Sequence, residues 1–271
     1  MADPVELARG LAFPEGPALA PDGTLWCTEA RGGALVRVGP HGLERHDTGG
    51  LPCGMAFDGH GRAWFTDARA NAIRWFDPAA GTWGTAATAL KGAPLDAPND
   101  LAFDATGHLV FSCPGDSRFA ATGSVCVLTA TGAVRELFRG LLFPNGIAFS
   151  ADNRALYVAE TYGRRVWRGA WDAERAAWVN PAPWADLGGE PGPDGMALGA
   201  DGLLYVAHLR GSRIAAVDDD GRVVREVAVP APRPTNVCFA PGAMFVTEAE
   251  AGLLLRYDGE GPGVPPFRPV R

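Results

Sequence analysis

The chain has 271 residues, 47% of them apolar, with 36 Gly, 23 Pro and a net charge of −7; Lys91 is its only lysine. A surface for nucleic acid needs clustered Lys and Arg, and the arginines here are scattered through an acidic chain, so no nucleic-acid partner is expected. No run of 18 apolar residues is present to span a membrane, residues 1–10 lack the basic-then-apolar order of a signal peptide, and the five cysteines form no C-x-x-C pair; the expectation is a reduced, cytoplasmic setting, with one disulfide left open.

In chain order, residues 5–13 (VELARGLAF) come first and have no partner in their own repeat. Six related stretches follow: FPEGPALAPDGTLWCTE (13–29), LPCGMAFDGHGRAWFTD (51–67), APNDLAFDATGHLVFSC (97–113), FPNGIAFSADNRALYVAE (143–160), GPDGMALGADGLLYVAH (192–208) and PTNVCFAPGAMFVTE (234–248). Each reads as a β-hairpin, two apolar runs around a Gly, Asp or Asn turn that tolerates positive φ. Weaker repeats such as GALVRVGPHGLERH, NAIRWFDPAAGTWG and SRIAAVDDDGRVVREV lie between them and supply third and fourth strands. Two local lookalikes are read as turns. WDAERAAW (171–178) is too short for a helix, and VDDDG (217–221) lacks the acid that closes an EF-hand loop, since residue 229 is Val.

The residue after the Pro or Thr of each repeat is Glu15, Cys53, Asn99, Asn145, Asp194 and Asn236, at spacings of 38, 46, 46, 49 and 42. Such a period with about four strands per repeat predicts a six-bladed β-propeller of four-stranded antiparallel blades, one domain over residues 1–271. The last repeat is a strand short, so the N-terminal strand is expected to complete it, with the C-terminal VPPFRPVR as a competitor for the same edge.

Inner strands of a propeller start at one end of a central channel, which gathers that column into a ring. Five of its six members carry a side-chain oxygen, the donor type that hard divalent cations take; Cys53 reads as a small buried residue. The ring therefore predicts a site for one divalent cation, Ca²⁺ first, with Mn²⁺, Mg²⁺ or Zn²⁺ as substitutes. The second strands end at Glu29, Asp67, Cys113, Glu160, His208 and Glu248, one strand further out. Of these His208 is a candidate to steer substrate or shuttle a proton, or else a structural histidine. The loop 114–123 is the expected lid.

These motifs, FPEGP (13–17), APND (97–100), FPNG (143–146), GPDGMALGADG (192–202) and RPTNVCF (233–239), resemble those of the senescence-marker-protein/gluconolactonase/regucalcin family along essentially the whole chain. The resemblance implies a lactone-opening hydrolase with Glu15, Asn145 and Asp194 as metal ligands, Asn99 beside them at the substrate and Asn236 just behind. Aldonolactone-hydrolysing members often have Arg two residues before that Asn; this chain has Ala97, which weakens the expectation of gluconolactone itself. A bound cation would polarise the lactone carbonyl for attack by water, with Asp194 as base or, alternatively, as nucleophile. With no G-x-S-x-G elbow, no H-E-x-x-H and only five serines, other hydrolytic motifs are absent. The alternatives are a propeller that binds metal and ligand without catalysis, and a phosphotriesterase on the same metal. The expected partner is a small-molecule lactone, and the protein is expected to be a monomer or small homo-oligomer.

Overall fold

A computed structural model describes residues 3–189, 191–259, 261 and 263–270. Its regular elements are all strands, arranged in six four-stranded antiparallel sheets and one two-stranded ribbon. Blade 1 spans residues 14–47, blade 2 residues 52–87, blade 3 residues 101–141, blade 4 residues 144–186 and blade 5 residues 193–228. Blade 6 takes Pro234–Ala240, Ala243–Glu248 and Leu253–Asp258 and receives Val5–Ala8 as its outer strand, paired antiparallel to Leu253–Asp258. Closing the ring this way gives the last blade the same four strands as the others and covers the edge of Leu253–Asp258.

The blades are held by what lies between them. Each strand alternates its side chains between the two sheet faces, and six apolar clusters fill the six blade interfaces. The cluster joining blades 6 and 1, for instance, packs Phe245 and Leu254 against Leu25 and Val36, and that joining blades 4 and 5 packs Tyr157 and Val166 against Met196 and Val206. Hairpin turns are tied to the same layers: buried Asp58 takes the Trp64 indole N–H at 2.8 Å, and buried Asp104 takes that of Trp171 at 2.9 Å.

The C-terminal segment does not compete for the blade edge. It crosses the channel at the end away from the ring. Gly263 bridges to Gly199, Val264 N donates to Leu198 O, Phe267 packs edge-on to Phe149, Arg268 donates to Leu19 O, and Pro269 O accepts from Gly59 N. The segment has three prolines in eight residues and so few N–H donors, and it meets the ends of the inner strands where acceptors and apolar side chains are exposed. All five cysteines are free thiols, and no helix among the described residues is long and apolar enough to cross a membrane.

Candidate functional site: an acidic ring at the channel mouth

Five of the six inner strands enter their blades through a bulge; that of blade 3 pairs in regular register from Leu101. In blade 4, Pro144 pairs with Glu160 and Ile147 with Val158, so Asn145 and Gly146 oppose a single residue. The extra residue turns the Asn145 side chain out of the ladder. Cys53 and Asp194 occupy the same bulged position in blades 2 and 5, while in blade 1 Glu15 pairs with Thr28 and the bulge follows it at Gly16 and Pro17. Backbone strain marks three of these entrances, with positive φ at Phe13, Ala97 and Phe143, each directly before the proline. Non-glycine residues in that region cost about 1–3 kcal/mol and persist where the surroundings hold them.

Blade 6 departs from the sequence expectation. Pro234 pairs with Glu248 and Asn236 with Thr247, so Thr235 holds the bulged position and Asn236 lies one level deeper. In blade 3 the level below Asn99 is held by Asp100, a residue that the repeat column passed over. In blades 1, 2, 4 and 5 the corresponding residue is glycine, Gly16, Gly54, Gly146 and Gly195. All four glycines are required by space: a Cβ on Gly16 or Gly146 would collide with the backbone carbonyl of Cys53 or Asp194, one on Gly54 with the Asp100 carboxylate, and one on Gly195 with the Asn236 amide. The signal for Asp100 was therefore its register, an acid where neighbouring repeats have Gly.

The ring is acidic and unneutralised. Glu15, Asp100 and Asp194 are 7%, 6% and 4% exposed. Burial, followed by repulsion from Asp194 and Asp100, pushes the Glu15 carboxyl well above the usual range. Burial and then Asp100 do the same to Asp194, opposed by hydrogen bonds from the Asn145 amide and Gly195. Burial raises Asp100 to about 6 against the pull of the Ile147 and Leu101 N–H groups. Among the described residues, no basic side chain enters the balance of any of the three.

The outer column contrasts with it. Burial would raise Glu29 and Asp67, but hydrogen bonds and arginines outweigh it and hold both below the usual carboxylate value. Glu29 accepts the Ala12 N–H and pairs with Arg45 at 2.8 Å, Asp67 accepts Leu51 N–H and pairs with Arg74 at 2.8 Å, and Glu160 accepts Leu142 N–H and pairs with Arg165 at 2.6 Å. Glu248 accepts N–H groups of Arg233, Glu250 and Ala251. These acids tie down the loops that lead into the bulges. His208 stands in the same column: its Nε2 meets Gly188 O at 3.0 Å and its ring lies tight against Gly189 and Gly211. The imidazole is buried, and its Nδ1 has no hydrogen-bond partner among the described residues.

Asn145 Nδ2 donates to Thr161 Oγ1 at 3.3 Å and its amide also bonds the Asp194 carboxylate, which leaves the amide carbonyl oxygen as the group to spare. The Asn99 backbone is locked, its N–H on Ser112 O and its C=O accepting from Gly54 N and Thr66 Oγ1, while its half-exposed side chain makes no hydrogen bond among the described residues. Among those residues no three His, Cys, Asp or Glu groups stand close enough to enclose a metal alone, so a cation here needs the Asn145 oxygen and water. Two carboxylates, one amide oxygen and open positions form an oxygen donor set of the kind that Ca²⁺ accepts. Beside the ring, the 114–123 loop is anchored where Ser117 Oγ accepts the Phe143 N–H at 2.9 Å, and it presents Phe119 at 93% exposure.

Comparison with known proteins agrees with this architecture. Pentonolactonase XacC of Haloferax volcanii is 29% identical over 192 residues, 63% of this chain and 65% of that protein, so the match spans somewhat less than two thirds of it. Among solved structures, regucalcin of Agrobacterium tumefaciens, described as a calcium-binding protein, superposes with a TM-score of 0.85 at 23% identity over 99% of this chain and 97% of that one. A gluconolactonase of Xanthomonas campestris superposes with a TM-score of 0.83 at 24% identity, over 93% and 88%. Residues 13–250 match the SMP-30/gluconolactonase/LRE-like region, and the chain belongs to that family.

Proposed function

We propose that the protein is a metal-dependent lactonase, with Glu15, Asn145 and Asp194 holding one divalent cation, calcium by preference, at the channel mouth. The observation that carries the reading is the contrast between the two acidic columns: the outer acids have their arginines and N–H groups, and the inner acids have no positive partner. Burying several carboxylates without compensation is costly, and an oxygen-rich pocket that keeps them has a cation as its natural complement. The similarity to a pentonolactonase supports lactone hydrolysis, and the likeness to a protein described as calcium-binding supports the choice of metal.

When bound, the cation supplies Lewis acidity toward the carbonyl of the substrate. The chain supplies the rest. Asp194, oriented by the Asn145 amide, would accept the proton of the attacking water. The free amide of Asn99 reaches the substrate and fixes the ester group over the ring. Asp100 stands behind and ties the entrance of blade 3 to the inner strand of blade 4 through the Ile147 N–H. Ala97 offers no donors for sugar hydroxyls, so the preferred lactone carries fewer hydroxyls than an aldonolactone. His208 serves the loop at Gly188 rather than the proton transfer.

The test is turnover of a panel of aldono- and aliphatic lactones by metal-stripped protein with Ca²⁺, Mn²⁺, Mg²⁺ or Zn²⁺ restored, beside Asp194→Ala. Metal-restored turnover lost in the variant supports the reading. Turnover of a phosphotriester alone would reassign the substrate, and cation binding without turnover of any ester would make this a binding propeller.

A further inference from the structure

Beneath the acidic ring the channel holds a cavity of about 160 Å³ that the proposed reaction does not use. Its existence is written in the repeats. Two residues below the level of Asp100, the inner strands carry Ala18, Ala56, Ala102, Ala148, Ala197 and Cys238, a complete tier of small side chains. The next tier is large, including Phe57, Phe103, Phe149 and Phe239, and the C-terminal segment lays Val264, Pro265, Pro266 and Phe267 across it as a floor. Wide above and sealed below, the tier of small residues leaves a void with apolar walls.

The roof is polar. Asp100 and Asn236 are the two side chains that descend from the ring into this space, and they come from blades 3 and 6, which face each other across a six-bladed ring. Asp100 Oδ2 accepts the Ile147 N–H at 2.9 Å, and Asn236 Oδ1 accepts the Val237 N–H at 2.8 Å. The Asn236 Nδ2 donor has no partner among the described residues, and a carboxylate accepts more than one hydrogen bond. The roof thus offers one donor and one acceptor, and a hydroxyl group can pair with either.

We propose that this cavity is a second binding site, separate from the acidic ring, for a small neutral molecule with an apolar body and a single hydroxyl, such as a phenol or a cyclic alcohol. Apolar cavities of about 150 Å³ hold a benzene-sized molecule, so the volume suits one six-membered ring. Water alone fits the site poorly, because most of the wall gives it no hydrogen bonds and only the roof does. A polyhydroxylated ligand is disfavoured by the same walls, which leave most of its hydroxyls without partners. The site is independent of lactone hydrolysis.

Phenol, benzene and glycerol are the probes, followed by ligand-observed NMR and calorimetry on the full chain. Phenol is expected to bind saturably with Kd of about 1 mM or tighter, within the ceiling for a ligand of seven heavy atoms, with benzene at least about fivefold weaker for lack of the roof contacts and glycerol without binding. Ala56→Phe fills the cavity and is expected to weaken phenol at least about tenfold while lactone turnover persists. Should that variant misfold, Phe267→Ala, which lowers the floor, is expected to admit 2-naphthol, which the native cavity excludes. No saturation by phenol at about 10 mM, benzene binding as tightly as phenol, or unchanged phenol affinity in folded Ala56→Phe each overturns the proposal. So does exclusion of 2-naphthol by folded Phe267→Ala.

Discussion

Replacing Asp194 by Asn separates the cost of the acidic ring from its use. The amide is isosteric with the carboxylate, so packing against Asn145 and Gly195 is kept while one of three mutually repelling buried acids is removed. In chelator-treated protein the expected result is a melting temperature equal to or above that of the wild type, because a repulsion is relieved and no ion pair is broken. With calcium at 100 times its Kd, binding stabilises the wild-type fold by about 2.7 kcal/mol. At about 2–4 °C per kcal/mol for a chain of this size, that is a rise of roughly 5–11 °C. Asp194→Asn loses a charged ligand, and at the same calcium concentration its rise should fall below about 2 °C. Scanning calorimetry of both proteins, with chelator and with calcium, reads all four values. A variant that keeps the full calcium-induced rise, or that melts well below the wild type when both are metal-free, would refute the assignment of the unneutralised acids to a cation.

The same geometry makes other outcomes definite. Gly54→Ala puts a methyl group into the Asp100 carboxylate without touching a proposed metal ligand; overpacking of this kind costs about 1–3 kcal/mol, and lactone turnover should drop at least tenfold in a protein whose circular dichroism is unchanged. Asp67 is raised by burial but held low on balance by the Leu51 and Ala70 N–H groups and Arg74. Its folded value lies below its unfolded one, so its stabilisation is full above the ordinary carboxylate value near 4 and is lost as pH falls through the folded value. Urea melts from pH 7 to pH 2 should show Asp67→Asn destabilised by about 3–5 kcal/mol at pH 7 and the gap closing below pH 4. Ala97→Arg restores a donor fork at the mouth and should raise kcat/KM for hydroxylated over aliphatic lactones about tenfold, checked by steady-state kinetics on matched pairs. Phe119→Ala should raise KM for a lactone with kcat little changed if the exposed ring closes over bound substrate, and an unmoved KM would remove the loop from the site.

How much of this could be read from the chain depends on whether a feature repeats. Six hairpins with Gly, Asp or Asn turns specify blades whether or not any one copy is regular, and a last repeat one strand short, with VELA left over at the start, specifies how the ring closes. The placing of Glu15, Asn145 and Asp194 at one level was legible for the same reason: each follows the proline of a Pro-x-Gly repeat at the start of an inner strand. Legibility failed where a repeat breaks its own pattern. In RPTNVCF the proline of the repeat is Pro234 and Asn236 stands in the place of glycine, so reading Thr235 as the proline's counterpart puts Asn236 in the mouth while the strand pairing puts Thr235 there. In APND the residue that differs from its glycine counterparts is Asp100, and the eye stops at Asn99 one place earlier. Both irregular residues end on the second level of the channel, on facing blades, each admitted by a glycine of the blade before it. The charge balance of the two acidic columns was hidden for another reason. Whether Glu29 or Glu15 carries an arginine depends on contacts across strands, Arg45 lying 16 residues from Glu29, and sequence spacing does not order such contacts. Repetition fixes where side chains stand in a propeller; its exceptions decide which of them are left without partners, and the chemistry of this channel follows from those.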